Sequence, residues 1–389
     1  MRLRILIGLV FLLGVPAAIF LVQLGKAREV KVGGKTVVAW ALELNGPGNT
    51  QAAENVFRGI GPKAVPNLVE ALERKDSLLT KPLLSLAPHL PDKLRVGLFR
   101  TVRPEEAERL RLGAAVALFI MGAKATSAIP TLSQALKDES PGVSLYAAKA
   151  LGRIGQPAVP ELIKALKDSN DQVRLKAIHG LSLAGSEAFA AVPVLIESIE
   201  DKNSEVRERA FEALSQIRHP STVTALISKL KHPDANVRLK AARSLASMGP
   251  WAREAIPTLI DVSKDGVSDV RKSAVEALGR IRPSAGIVVS ALSRALSDND
   301  PSVRSNAAES LGIGGPAAAL AVPSLIERLK DEDARVRAAA ALALGAIGAQ
   351  ASAAIGPLSE AAKDADVAVS AKAQQALEQI KKSSGQSQK

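Results

Sequence analysis

The chain has 389 residues, 47% of them hydrophobic but only 3% aromatic, and it contains no cysteine. That excludes disulfides, thiolate zinc sites, cysteine nucleophiles and a lipoprotein cysteine, and it points to a core of small and aliphatic side chains in close helix contact. Its 51 basic and 39 acidic residues leave a net charge of +12, which favours anionic partners without choosing among nucleic acid, lipid headgroups and acidic proteins.

In chain order, the first predicted element is Ile5 to Leu24, 20 residues without a charge. At about 1.5 Å per residue such a helix spans a hydrocarbon core of roughly 30 Å. A signal anchor or transmembrane helix over residues 1–28 is therefore expected. A cleaved signal peptide is the alternative, with weak sites at Val15-Pro16-Ala17 and Gly25-Lys26-Ala27; a plain buried helix is a third reading. Arg2 and Arg4 lie before the segment and Lys26, Arg28, Lys31 and Lys35 after it, so the positive-inside rule gives no clean orientation. The expected location is a membrane, single-pass, with the remainder extracytoplasmic, or a secreted or periplasmic protein if the segment is cleaved.

Residues 29–121 read as an irregular N-terminal capping region with degenerate repeats. Val30 to Thr50 carries Trp40, one of two tryptophans, expected to cover the exposed face of the first unit. From Ser77 to Arg103, Pro82, Pro88 and Pro91, with Pro104 just beyond, bound short helical pieces. That segment reads as an insertion, either a cap or a determinant of specificity.

A repeat then dominates, from 122 to 380. Leu118, Leu151, Leu181, Leu214, Leu245, Leu278, Leu311, Leu344 and Leu377 recur at intervals of 30 to 33 residues. An alanine stands four residues before each: Ala114, Ala147, Ala177, Ala210, Ala241, Ala274, Ala307, Ala340 and Ala373. The i, i+4 spacing places both on one helix face, and the alanine lets a neighbouring helix approach. A second amphipathic helix in each unit ("AVPELIKALKD", "AIPTLIDVSKD") starts near Pro130, Pro160, Pro193, Pro257 or Pro323, where a missing N–H costs little. Gly122, Gly155, Gly185, Gly249, Gly315 and Gly348 close units, suiting a left-handed helix end. Neither helix can bury its apolar face alone, so the units must stack. The end, 381–389, is polar and is expected to be disordered.

The pattern "P-x-L-I-x-x-L-K-D…V-R-x-x-A-A-x-A-L-G-x-I-G" resembles the HEAT repeat family of Armadillo-like helical solenoids, and the whole resembles bacterial HEAT-repeat proteins with an N-terminal membrane anchor. The resemblance implies an all-α fold: a right-handed α-α superhelix of about nine to ten helical hairpins, preceded by the transmembrane or signal segment. It also implies a structural ladder between adjacent repeats, tying the turns inside each unit. Here the ladder residues are Asp168 and Arg174, Asp201 and Arg207, Asp265 and Arg271, Asp298 and Arg304, and Asp331 and Arg337, each arginine six residues after its aspartate. Asp138 and Asp364 extend the series, Arg111 shares its phase, His232 replaces the aspartate before Arg238, and Ser144 and Ser370 replace outer arginines. A catalytic pair is needed once, whereas this pair recurs.

No catalytic, cofactor or metal site emerges. The four histidines lack ligand spacing, and no phosphate loop or nucleophile elbow is present. Binding is the remaining function. The family's orientation implies a concave face bearing Lys176, Arg209, Lys240 and Arg243, a basic stripe suited to an acidic protein. The expected protein is thus a non-enzymatic, membrane-tethered scaffold for protein–protein interaction. Two alternatives come from resemblance to other HEAT-like proteins: nucleic-acid binding, disfavoured by the membrane segment, the acidic residues of 185–217 and few stacking aromatics, and a tetrapyrrole-lyase-like role, for which no cofactor site is visible.

Overall fold

The computed structural model describes residues 29–44, 50–74, 106–282 and 284–386. The expected membrane segment (1–28) and most of the irregular insertion, including all of Ser77 to Arg103, lie outside the described residues. Two compact units divide the chain, Met1–Ala184 and Gly185–Lys389.

Both units are built from pairs of one short and one long helix. In the first unit the pairs include Ile129–Ala135 with Pro141–Ile154 and Val159–Leu166 with Asp171–Ala184. In the second they run from Val192–Ser198 with Ser204–Gln216 to Ile355–Ala361 with Val367–Gln386. Eight such pairs follow one another from Ile129 to Gln386 among the described residues. The last helix continues to Gln386, beyond residue 380, where the sequence suggests that order ends.

Local chemistry sets the boundaries. Most of the short helices begin with proline in the first turn, as at Pro160 and Pro257, where no intrahelical N–H is lost. Several long helices begin at side-chain caps: Asn203 accepts from the Glu205 and Val206 N–H groups, and Asp234, Asp300 and Asp333 cap likewise. The six unit-closing glycines all have positive φ, from 56° at Gly122 to 83° at Gly155. Four helical stretches, Glu106–Ala135, Asp171–Ser198, Pro301–Arg328 and Ala334–Ala361, are long and apolar enough to cross a membrane by length and composition. Each contains one of these glycine breaks, at Gly122, Gly185, Gly315 or Gly348, and each contributes side chains to the repeat core.

The core is the alanine–leucine pattern. Ala147 and Leu151, Ala274 and Leu278, and Ala340 and Leu344 are fully buried. Long helices pack directly on one another within each unit, and glycines allow the approach. A Cβ added at Gly152 would lie 2.4 Å from the Gly180 carbonyl oxygen, and one at Gly345 would lie 2.8 Å from Ala376 Cα. The recurrent "ALG" of the sequence is therefore a helix-contact motif.

Before the array, Lys31–Val32 and Lys35–Thr36 form a small antiparallel hairpin turned by Gly33 and Gly34 at positive φ. The Trp40 indole N–H donates to the Val32 carbonyl at 2.9 Å, and Lys35 Nζ sits 4.5 Å from the ring centroid. The helix Val37–Glu43 buries Val37 and Ala41 and packs on Glu106–Met121. The lead-in thus lies against the first hairpins, where a cap belongs.

Candidate functional site

The ladder has two halves. Each arginine donates through Nη1 to carbonyl oxygens of its own turn: Arg174 to Asp168 and Ser169, Arg207 to Asp201 and Lys202, Arg271 to Asp265 and Gly266, Arg304 to Asp298 and Asn299, and Arg337 to Asp331 and Glu332. In Arg111, Arg238, Arg271, Arg304 and Arg337, Nε and Nη2 also grip the aspartate of the following unit. In the first unit this rung is Arg111–Asp138 at 2.8 Å. In the second unit the rungs are Arg238–Asp265 at 2.7 Å, Arg271–Asp298 at 2.8 Å, Arg304–Asp331 at 2.7 Å and Arg337–Asp364 at 2.8 Å. Each gripped aspartate also accepts the N–H two residues ahead, as Asp265 does from Val267. Where Ser144 replaces an arginine, Lys137 supplies the cation to Asp168 at 2.6 Å. The guanidinium N–H groups of the ladder are directed at backbone and carboxylate oxygens of the turns, a structural arrangement.

The available surface lies elsewhere on the long helices. At 100° per residue, the ladder leucine faces its own short helix and the residue after it faces the adjoining long helix. Positions five before, two before and two after that leucine share the remaining face. Lys176, Arg209 and Lys240 occupy the first of these rows and Arg243 the second.

The anticipated basic stripe carries its own counter-ions. Arg209 is exposed and bonded to Glu212 at 2.8 Å, with Glu205 at 4.0 Å. Lys240 pairs with Glu208 of the preceding long helix. Arg243 is exposed and without an ion pair among the described residues. In the first unit, burial lowers the pKa of the half-buried Lys176 ammonium, against the attraction of Asp138.

Sequence reasoning missed a cluster in the first unit. Phe119 and Tyr146 meet edge to face, ring centroids 6.0 Å apart at 69°. Lys149 Nζ lies 4.7 Å from the Tyr146 centroid, and Arg153 Cζ lies 5.6 Å from that of Phe119. Among the described residues no carboxylate lies within ion-pair distance of Lys149, Arg153 or Lys176. The available signal was compositional: Tyr146 is the chain's one tyrosine, and it stands in the same row as Lys176. No group of metal-ligating side chains occurs among the described residues.

Known proteins fit this geometry. Residues 101–163, 159–230 and 223–289 match the family model described as HEAT repeats, and 288–313 and 321–351 match that of the HEAT repeat. No curated protein matches the chain in sequence. Among solved structures, Kap121p bound to Pho4p is similar at 14% identity and a TM-score of 0.54, over 90% of this chain and 46% of that one. Kap95p, solved with RanGDP, is similar at 16% identity and a TM-score of 0.52, over 88% of this chain and 54% of that one. The chain thus spans about half the length of these two relatives. An engineered protein is 22% identical over 89% of this chain and 98% of its own, with a TM-score of 0.41.

Proposed function

Because this chain belongs to the HEAT-repeat family, we propose that it is a non-enzymatic scaffold that holds a partner protein on the exposed face of its long helices. One observation carries the reading. On the long helices the alanine–leucine face is buried, Gly152, Gly279, Gly312 and Gly345 pack on the next long helix, and the arginine, where present, ties the turns. The remaining rows are where repeats differ: Lys176, Arg209, Lys240 and Asn306 occupy equivalent positions with exposed or half-exposed side chains, whereas Ser273 and Ala339 there are small and buried. A surface that varies while its framework repeats suits recognition of one partner.

In this reading Lys176, Arg209, Lys240 and Arg243 contribute to contact with an acidic protein, and residues 5–24 tether the scaffold to a membrane with the repeats extracytoplasmic. The solved relatives support the fold; Kap121p and Kap95p were solved with protein partners, Pho4p and RanGDP, and a protein partner is transferred here as a proposal. Crosslinking from photoreactive residues at positions 243 and 176, followed by mass spectrometry, tests the reading. It predicts one recurrent protein adduct from both positions; a spread of unrelated adducts at background levels would overturn it. Salt and carbonate washes of membranes test the tether: release by salt would refute it.

A further inference from the structure

Three cations of the first unit have no carboxylate at ion-pair distance among the described residues. Lys149 and Arg153 lie on Pro141–Ile154, and Lys176 lies on Asp171–Ala184. Lys149 is two residues before its ladder leucine and Arg153 two after; Lys176 is five before its own. All three share the exposed long-helix face. On the equivalent rows of the second unit Arg209, Lys240 and Arg280 are each paired with a glutamate, and Arg243 stands unpaired among the described residues but without an aromatic ring beneath it.

The aromatic pair gives this charge a fixed form. Tyr146 and Phe119 brace one another, and each ring lies beneath one cation. A cation held over a ring gives up less side-chain freedom on binding, while its N–H groups still point to solvent. A guanidinium so held presents a planar fork that matches a carboxylate.

We propose that Lys149, Arg153 and Lys176, braced by Phe119 and Tyr146, form a docking patch for a carboxylate-rich segment of a partner protein. This rests on the reading of the long-helix face as the partner-binding face, and it adds where on that face and what chemistry. Nucleic acid is the poorer fit. Base stacking needs an open ring face, and here one face of each ring carries a cation while the two rings contact each other.

The test uses the full chain in detergent with two fluorescent probes of similar length, poly-L-glutamate and an oligothymidylate, followed by anisotropy at low and high salt. Polyglutamate should bind, and binding should weaken as salt rises. Lys149→Gln with Arg153→Gln should weaken it roughly tenfold, and by more than Arg209→Gln with Lys240→Gln, whose cations are already paired with Glu212 and Glu208. Circular dichroism and melting of each variant establish that the fold is intact. Unchanged polyglutamate binding in the Lys149/Arg153 variant would overturn the patch. Loss confined to the Arg209/Lys240 variant would overturn the patch and leave the wider interaction-face reading standing. Tighter oligothymidylate binding that disappears with Lys149 and Arg153 would replace the protein segment with nucleic acid. If neither probe binds, the acidic-segment assignment fails, while the crosslinking result independently decides the scaffold reading.

Discussion

Arg304 and Asp331, 27 residues apart, share two parallel hydrogen bonds: Nε to Oδ2 at 2.9 Å and Nη2 to Oδ1 at 2.7 Å. Their side chains are 7% and 3% exposed, the most enclosed rung described, against 16% and 12% for Arg271 and Asp298. Removing one member of a buried pair leaves the other charged and unsolvated, at a cost of about 3–5 kcal/mol. Asp331→Ala should approach that range. Arg271→Ala, at a wetter rung, should cost about 1.5–3 kcal/mol. Urea unfolding of both variants measures the order, and equal losses would contradict the argument from burial.

Acid should weaken the same ladder. Arg238's hydrogen bonds hold the Asp265 carboxyl below its ordinary pKa, and Arg337's do so for Asp364. At Asp298 burial pushes the pKa up, but Arg271 and the Asp300 N–H outweigh it and the net direction is down. A carboxylate with a depressed folded pKa binds its proton later in the folded than in the unfolded chain, whose value is about 3.9. Its contribution is therefore complete above the unfolded value and is lost as pH falls through the folded one. Melting temperature should hold level down to about pH 5 and then decline below about pH 4. Arg271→Gln should lower stability at neutral pH and shallow the acid decline, because Asp298 loses the bonds that depress its pKa.

Close helix contact makes a third prediction. Gly152→Ala places a Cβ against the backbone carbonyl of Gly180, 2.4 Å away, where rotamer change gives no relief. The helices must separate, at about 1–3 kcal/mol. Gly356, in the short helix Ile355–Ala361, meets nothing within 4 Å. Gly356→Ala should instead stabilise by roughly 0.5–1 kcal/mol through helix propensity. Opposite shifts in thermal midpoint are the expected result; two losses would show that chain stiffness, not contact, governs both sites.

The buried columns should act locally. Leu278→Ala removes a fully buried side chain, costing about 2–5 kcal/mol. Ala274→Leu overfills the same face at about 1–3 kcal/mol. In a stacked array each loss should fall on its own and adjoining pairs. Hydrogen exchange should quicken across 256–314 and stay slow near residue 358; uniform acceleration would indicate one all-or-none unit.

Positions that depend on the internal period were legible in the sequence: the leucine and alanine columns, the helix-starting prolines and the glycines that prove to have positive φ. Each recurs often enough to reveal its backbone role. Side-chain partners across units were less legible. Glu208 cancels Lys240 from 32 residues away, and that distance in sequence becomes contact only through the offset between stacked helices. The Phe119–Tyr146 pair occurs once, so periodicity is blind to it. The hairpin at Lys31–Thr36 has two residues per strand, too few to show an alternating pattern.

The break at His232 supplies the final prediction. Its Nδ1 accepts the Asp234 N–H at 3.1 Å, as Asp265 accepts that of Val267 at 3.0 Å. The imidazole therefore performs the turn half of an aspartate's task. It cannot perform the other half, because it offers no carboxylate fork to the arginine of the preceding unit. Among the described residues that arginine, Arg207, reaches only the Asp201 and Lys202 carbonyls. His232→Asn should preserve the turn bond and leave stability within about 0.5 kcal/mol. His232→Asp should add the missing rung, with a gain of about 1–2 kcal/mol. Glu200 limits the gain: it lies 3.6 Å from His232 Nε2, and the hydrogen bond from Lys229 holds its carboxyl below the ordinary pKa, so it remains an anion beside the new carboxylate. Repeating His232→Asp in an Arg207→Gln background isolates the rung. The gain should vanish there; if it persists, the added aspartate is acting through the turn alone.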